Sequence, residues 1–539
     1  MRPQPRFAVL AAAVRRSARE IERGGRLVEI VAPEDWSDAR AEAWLDWAAE
    51  DGLPLDGDDL IIEAAHAWAA RQAPDETTAA ELAATLRLGL ITLARPQQVG
   101  ADDALSLSDP AAARLLNAET ARRRALRLAA GAVDAVAVAL AGVSEAVRRC
   151  EGPRGDCTDP AHNPALARAA LTARRAGASD ADILRPIAGE PSDAAPLPPR
   201  PAGPWPAVAD RDLVASGAPE ATLAAEGALD GDLVLTFDPE TAELTVEAAR
   251  GAGALIALTA LRDLTGEGFD AALSDLVRLW AGVLSNGGTV PVAIGFADLA
   301  DLVLLEGAAD PLARAAELAR IVVEAAPGVV SLFIDDPEAD LRLGASPLTA
   351  KDMFETADAE TAVRLRPALA TAITVLGGDL EAAERHLLGR RTLAGAPAVD
   401  HAALRGHGFT DIELEGVELA LAQVERLEDA FRAPVLDAGF LRDVLGIEGE
   451  ADVLTHLGFT GSEIADAGVW AFGAGDLTGW REAPDGLVEI LADLPGFEIA
   501  LRGALERFSA TPGLTPVALD WGATPPQGPP PRDRWCSRM

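Results

Sequence analysis

Residues 408–413 read Gly-Phe-Thr-Asp-Ile-Glu and residues 458–463 read Gly-Phe-Thr-Gly-Ser-Glu, so one helix-starting phrase is used twice, fifty positions apart. In each copy a threonine, Thr410 or Thr460, is placed to cap free backbone N–H groups of a first helical turn. Three residues on, Glu413 or Glu463 can reach back to the cap's own N–H, which makes both phrases capping boxes. Phe409 with Leu414, and Phe459 with Ile464, bracket the caps as hydrophobic staples that fix the entry angle of a helix. Two similarly built helices must start here. The phrases dictate structure and are silent on chemistry.

Around them the hydrophobic period changes along the chain. The first 190 residues are dominated by helical spacing, with helices expected at 41–50, 60–71, 77–93 and 110–149. Trp36, Trp44, Trp47 and Trp68 fall in this block and are read as core rather than as a base-stacking surface. Residues 191–206 form a Pro-rich linker that can be neither helix nor central strand. From 207 to 350, strand-length apolar runs at 233–237, 290–296 and 329–334 alternate with helical patterns at 269–285 and 311–326, which predicts parallel pairing under covering helices. Helices return over 351–510, and 511–539 is a Pro-rich tail expected to be mobile. The expected fold class is mainly α with a central α/β region.

A chain of 539 residues and net charge −38 can bury a sizeable core and repels both nucleic-acid phosphates and anionic lipid. General nucleic-acid binding and membrane association are therefore not expected. The first 27 residues reverse the sign: Arg2, Arg6, Arg15, Arg16, Arg19, Arg23 and Arg26 face only Glu20 and Glu22. An acidic partner or nucleotide phosphates can dock on such an arm, but its plainer role is a disordered or helical segment lying on the acidic body of its own chain. The short run at 7–14 is followed by more arginines instead of a cleavage site, so export is not expected. Residues 125–143 are the most apolar stretch, interrupted by Arg127 and Asp134, and read as a buried amphipathic helix.

Three cysteines are too few for a secreted disulfide framework, which suits a cytoplasmic protein. Cys150 and Cys157, seven apart across a turn-rich EGPRGD, are candidate redox thiols; they can meet as a disulfide, join His162 in part of a metal site, or stand as two ordinary thiols. Their spacing matches no zinc pattern. Cys536 in the tail is a third candidate redox thiol without a neighbour to pair with. Asp335 and Asp336 follow the third strand-like run, where open α/β sheets place ligand-facing carboxylates; adjacent in an extended chain, only one can face a site, and helix capping is the plainer role. Gly251-Ala252-Gly253 lacks the third glycine of a dinucleotide fingerprint, and no Walker, His-Glu-x-x-His or Gly-x-Ser-x-Gly sequence occurs. No catalytic residue and no metal site are identified.

The duplicated phrases sit in longer strings: HGFTDIELEGVELAL at 407–421, AGFLRDVLGI at 438–447 and LGFTGSEIADAGVWAFGAGDLTG at 457–479. These resemble a region late in the catalytic chain of adenosylcobalamin-dependent, class II ribonucleotide reductases of alphaproteobacterial type. NPALARAALTARRAGASDADILRPIAG at 163–189 resembles a helical segment ahead of that family's barrel. The resemblance implies a reduced reductase-type barrel in the α/β middle, an adenosylcobalamin cofactor, and a thiyl radical on a cysteine in an Asn-Pro-Cys-Ser-Glu loop. That loop is missing, and the only asparagines are Asn117, Asn163 and Asn286. The expectation is therefore a degenerate relative acting as an accessory, regulatory or nucleotide-binding partner of a true reductase chain. Two alternatives are an active cobalamin-dependent reductase with displaced cysteines and a helical interaction scaffold without ligand.

Overall fold

The computed structural model describes residues 6–23, 26–55, 59–150, 152–190, 203–210, 212–213, 218–307, 310–355, 361–422, 424, 426–447 and 452–511. Its strands, in chain order, are β1 (Arg16–Arg23), β2 (Arg26–Pro33), β3 (Ile91–Ala94), β4 (Leu105–Ser106), β5 (Trp205–Val208), β6 (Leu233–Thr236), β7 (Ala252–Ile256), β8 (Val292–Phe296), β9 (Val329–Ser331), β10 (Lys351–Glu355) and β11 (Thr361–Leu365). The other regular elements among the described residues are helices, but the antiparallel pair β10 and β11 departs from the helices expected over 351–510.

The chain divides into two compact units, one of Met1–Pro96 with Gly251–Ser509 and one of Gln97–Arg250 with Ala510–Met539. This division departs from boundaries at 190 and 206. The reason lies at 88–94, expected as the end of a helix over 77–93. The helix Glu76–Arg87 stops there, Gly89 turns with φ +61°, and the β-branched run that follows forms β3. β3 pairs antiparallel with β7, Ile91 opposite Ile256 and Ala94 opposite Gly253. The first ninety-six residues thereby join a sheet whose other strands come after position 250.

In the discontinuous unit the sheet order is β3-β7-β8-β9, with β7, β8 and β9 parallel. Parallel neighbours need crossovers, supplied by Leu258–Thr265 and Phe269–Leu284 between β7 and β8 and by Leu299–Leu305 and Pro311–Ala325 between β8 and β9. β7 and β8 are almost wholly buried, as strands covered on both faces should be. Gly253 and Gly295 leave room for Ile334: a Cβ on Gly295 would come within 3.0 Å of the Ile334 Cβ. The basic N-terminal segment is neither disordered nor a helix from 16 onward, because β1 and β2 form a hairpin; Arg2 lies outside the described residues. Its arginines do lie on acidic groups of their own unit, Arg6 on Asp275 at 2.7 Å and Arg16 on Asp59 through its second nitrogen at 2.8 Å. Trp36 and Trp44 are buried, and Trp68 stacks on Trp280 at 5.2 Å, so the tryptophans are core.

A second core within this unit is built by residues 393–472, including Phe409, Leu414, Phe431, Phe440, Leu454 and Ile464. Both capping boxes form. Glu413 accepts from the Thr410 N–H at 2.9 Å and Glu463 from the Thr460 N–H at 2.8 Å, opening the helices Asp411–Leu421 and Gly461–Phe472.

In the inserted unit β4, β5 and β6 form a small parallel sheet with β5 in the middle, so the end of the Pro-rich segment, Trp205 and Pro206, is central strand, contrary to the reading of 191–206. The strand at 233–236 thus belongs to a different sheet from those at 292–296 and 329–331. No closed barrel occurs among the described residues. The helix Pro110–Arg148 packs near its start against the small sheet through Ala113 and Leu116, and near its end against Pro164–Ala176 and Asp180–Ala188 through Ala139, Leu140 and Val143. Its middle is not buried, contrary to the reading of 125–143: Leu128 is 72% and Val138 73% exposed. Hydropathy signals burial, but a helix held at both ends need not be covered between them. By length and composition it is also apolar enough to cross a membrane.

Replacing either cap, Thr410→Ala or Thr460→Ala, should cost about 1 kcal/mol. Chemical denaturation should show the loss, with hydrogen exchange rising first in the helix whose cap was removed.

Candidate functional site

Because β7, β8 and β9 run parallel, their carboxyl ends share one edge, and carboxylates gather there. Asp336 is buried and engaged on both oxygens: Oδ1 accepts from the Ala339 N–H at 3.2 Å, capping Pro337–Leu343, and Oδ2 accepts from the Arg95 N–H at 2.8 Å. Asp335 is exposed. The pair does face two ways, and the buried member is a cap and a tie to the chain after β3.

Two carboxylates at this edge were not singled out from sequence. Asp298, just past β8, is buried and accepts from the N–H groups of Leu258 at 2.7 Å and Thr259 at 3.0 Å and from the Thr259 hydroxyl. Burial pushes its carboxyl up, against those three donors. Asp340 is pushed up to about 7, first by burial and then by the negative charge of Asp335, Asp336, Asp298 and Glu498. A carboxyl near neutrality can take or give a proton at physiological pH. Its position one helical turn after Asp336 was the available signal. Among the described residues no group of three or more His, Cys, Asp or Glu can hold a metal ion.

In the inserted unit, Cys150 and Cys157 are joined in a disulfide, their Cα atoms 5.5 Å apart. The metal reading fails here, since both sulfurs are bonded to each other and His162 turns its Nδ1 to Asp159 at 3.0 Å. Asn163 seals the corner: Oδ1 caps Pro164–Ala176 through the Leu166 N–H at 3.1 Å, and Nδ2 donates to the carbonyls of Cys157 at 3.0 Å and Ala146 at 3.1 Å. Beside it lies an open groove of about 490 Å³, lined by Gly142, Glu145, Arg149, Cys150, His162 and Arg168 among others. Cys536 lies outside the described residues.

The Gly473-Ala474-Gly475 turn docks the second of the duplicated helices, Gly461–Phe472, onto Leu380–Leu388. The Ala474 N–H donates to the His386 carbonyl at 2.7 Å and the Arg391 N–H to the Ala471 carbonyl at 2.8 Å. A Cβ on Gly473 would fall 2.4 Å from the Leu387 oxygen, so the crossing requires glycine.

No family model matches the chain. It is similar to the Vitamin B12-dependent ribonucleotide reductase of Bradyrhizobium diazoefficiens, 33% identical over 117 residues, which is 21% of this chain and 9% of that protein. It is likewise similar to the Vitamin B12-dependent ribonucleotide reductase of Agrobacterium fabrum, 33% identical over 102 residues, 18% of this chain and 8% of that one. The chain spans less than a tenth of the length of these relatives. About a fifth of it is distantly related to them.

Two outcomes follow from the geometry. Between its unfolded value near 3.8 and its folded value of about 7, Asp340 keeps a proton that the unfolded chain has lost, so stability falls as pH rises through that window and is level above it. Asp340→Asn should therefore stabilise the protein at pH 8 by on the order of 1 kcal/mol, after screening at its open side, and change little near pH 3; urea melts at both pH values check this. Reducing the Cys150–Cys157 bridge, or Cys157→Ser, should cost about 2 kcal/mol from the short loop it closes, read in the same assay.

Proposed function

We propose that the chain is a ribonucleotide-reductase-like protein without radical catalysis, acting as an accessory or regulatory partner of a class II reductase chain. What carries the reading is the place of its sulfur. The resemblance calls for a thiol presented by a loop inside a barrel, whereas Cys150 and Cys157 hold one another at the end of a helix in a unit whose described strands form one small open sheet. A bonded pair is no radical carrier.

The residues do not fit the cofactor in the relatives' name. Among the described residues no cysteine is free to take up the radical that such a cofactor generates, since Cys150 and Cys157 are bonded to each other. No step is routed through cobalamin. The strings at 407–421 and 457–479 that carry the resemblance form a pair of capped helices with their own core, a part suited to packing against another protein. Nucleotide binding without turnover belongs to the same reading, with the arginines of the groove as its anion contacts.

Purified protein mixed with adenosylcobalamin, a ribonucleoside di- or triphosphate and dithiothreitol should give no cobalt-coupled radical signal in electron paramagnetic resonance and no deoxynucleotide. Titrated with an intact class II reductase, it should shift that enzyme's sedimentation and its rate. Deoxynucleotide formation by the protein alone would establish the active alternative, and no effect on any reductase or nucleotide-dependent melting shift would leave the scaffold reading in its place.

A further inference from the structure

The exposed middle of the helix Pro110–Arg148 carries a pattern that its own unit does not use. Arg124, Leu128, Gly131, Ala135, Val138, Gly142 and Glu145 follow one another at alternating intervals of four and three. That is the 3.5-residue repeat of a seam between two helices. Leu128 and Val138 are the most exposed apolar side chains on it, at 72% and 73%. Two glycines in a helix interior each cost about 1 kcal/mol relative to alanine. Yet a Cβ on Gly131 or Gly142 would meet nothing within 4 Å. Nothing in one copy requires them to be glycine.

We propose that this seam pairs antiparallel with the same seam of a second copy of the chain, about a two-fold axis between Asp134 and Ala135, to within half a residue. The sequence is self-complementary in that register. Gly131 of one copy meets Val138 of the other, Leu128 meets Gly142, and Arg124 meets Glu145, each relation occurring twice by symmetry. Large faces small in the Gly131–Val138 and Leu128–Gly142 pairs, Ala135 meets its own copy, and opposite charges close both ends. The glycines then admit the close approach that single-copy packing leaves unexplained. The groove of about 490 Å³ begins at Gly142 and Glu145, which is where Leu128 of the second copy arrives. Arg124 already contacts Asp230 at 3.2 Å, and Glu145 pairs with Arg148 and Arg149, so both end charges are held in place before pairing. An apolar stretch exposed between two anchored ends is thereby covered over roughly 30 Å.

Sedimentation equilibrium of the full chain should show a monomer–dimer equilibrium. Arg124→Glu and Glu145→Arg should each weaken dimerisation about tenfold, and the double exchange should restore it. In a Cys536→Ser background, Ala135→Cys should form an interchain disulfide on mild oxidation, while Ala137→Cys, turned away from the seam, should not. Circular dichroism should be unchanged in all of them. A wild-type chain monomeric up to about 100 µM overturns the proposal. So does failure of the double exchange to rescue, equal cross-linking at position 137, or association only in the presence of phospholipid vesicles, which would mark the helix as a membrane element.

Discussion

Two buried guanidinium groups close a unit whose sequence is split in two. Arg40 donates through Nε to the carbonyl of Arg342 at 3.0 Å, across 302 positions of sequence, and through a terminal nitrogen to the carbonyl of Gly89 at 3.2 Å. Arg342 in turn donates to the Thr92 hydroxyl at 3.1 Å and the Leu93 carbonyl at 2.7 Å. Both side chains are buried, and the Arg40 guanidinium lies 4.6 Å over the Trp36 ring. Burial lowers the Arg40 pKa to about 10, with Asp35 and Asp298 pulling it back up, so it remains charged at neutral pH. A planar fork of donors can satisfy several carbonyls at once, which is why arginine rather than lysine suits such a place. Gly89 completes the fit: a Cβ there would lie 2.1 Å from the guanidinium nitrogen.

These fixed charges also set the character of the sheet edge. The carboxylates of Asp298, Asp336 and Asp340 collect where parallel strands end, but the first two spend their oxygens on backbone N–H groups. Those two aspartates hold loops, which leaves Asp340 as the carboxyl of this edge nearest neutrality. The same distinction applies to the helices at 411–421 and 461–472, where capping boxes account for the repeated phrase. The strings at 407–421 and 457–479 that resemble the reductases fold into parts of this kind, and likeness of fold does not by itself carry an activity.

Much of this was legible in the residues. Thr410, Glu413, Thr460 and Glu463 announce their helices because a capping box is local, with its partners three residues apart. The strands at 233–236 and 292–296 are legible because short buried strands are continuous apolar runs bounded by breakers. Their assignment to separate sheets was not, since pairing depends on contacts far apart in sequence. The strand at 91–94 was absorbed into the preceding helix because its alternation is too brief to outweigh seventeen residues of helical spacing. Asp340 escaped notice for a related reason: nothing in a lone aspartate on a short helix tells that Asp298, some forty positions upstream, lies close enough to raise its pKa. Cys150 and Cys157 were recognised as neighbours, but only three-dimensional geometry chose the disulfide over the other readings.

The insertion of residues 97–250 between two hydrogen-bonded neighbours, β3 and β7, has a temporal side. During synthesis β3 leaves the ribosome well ahead of the strand it must pair with. At ordinary translation speeds the interval is roughly 10 to 30 s. Throughout it Ile91 and Leu93 stand at a sticky edge with no native partner, while the intervening polypeptide has time to reach its own fold first. The nascent chain therefore has reason to enlist a chaperone at that stage, and slow codons within the insert would lengthen the wait.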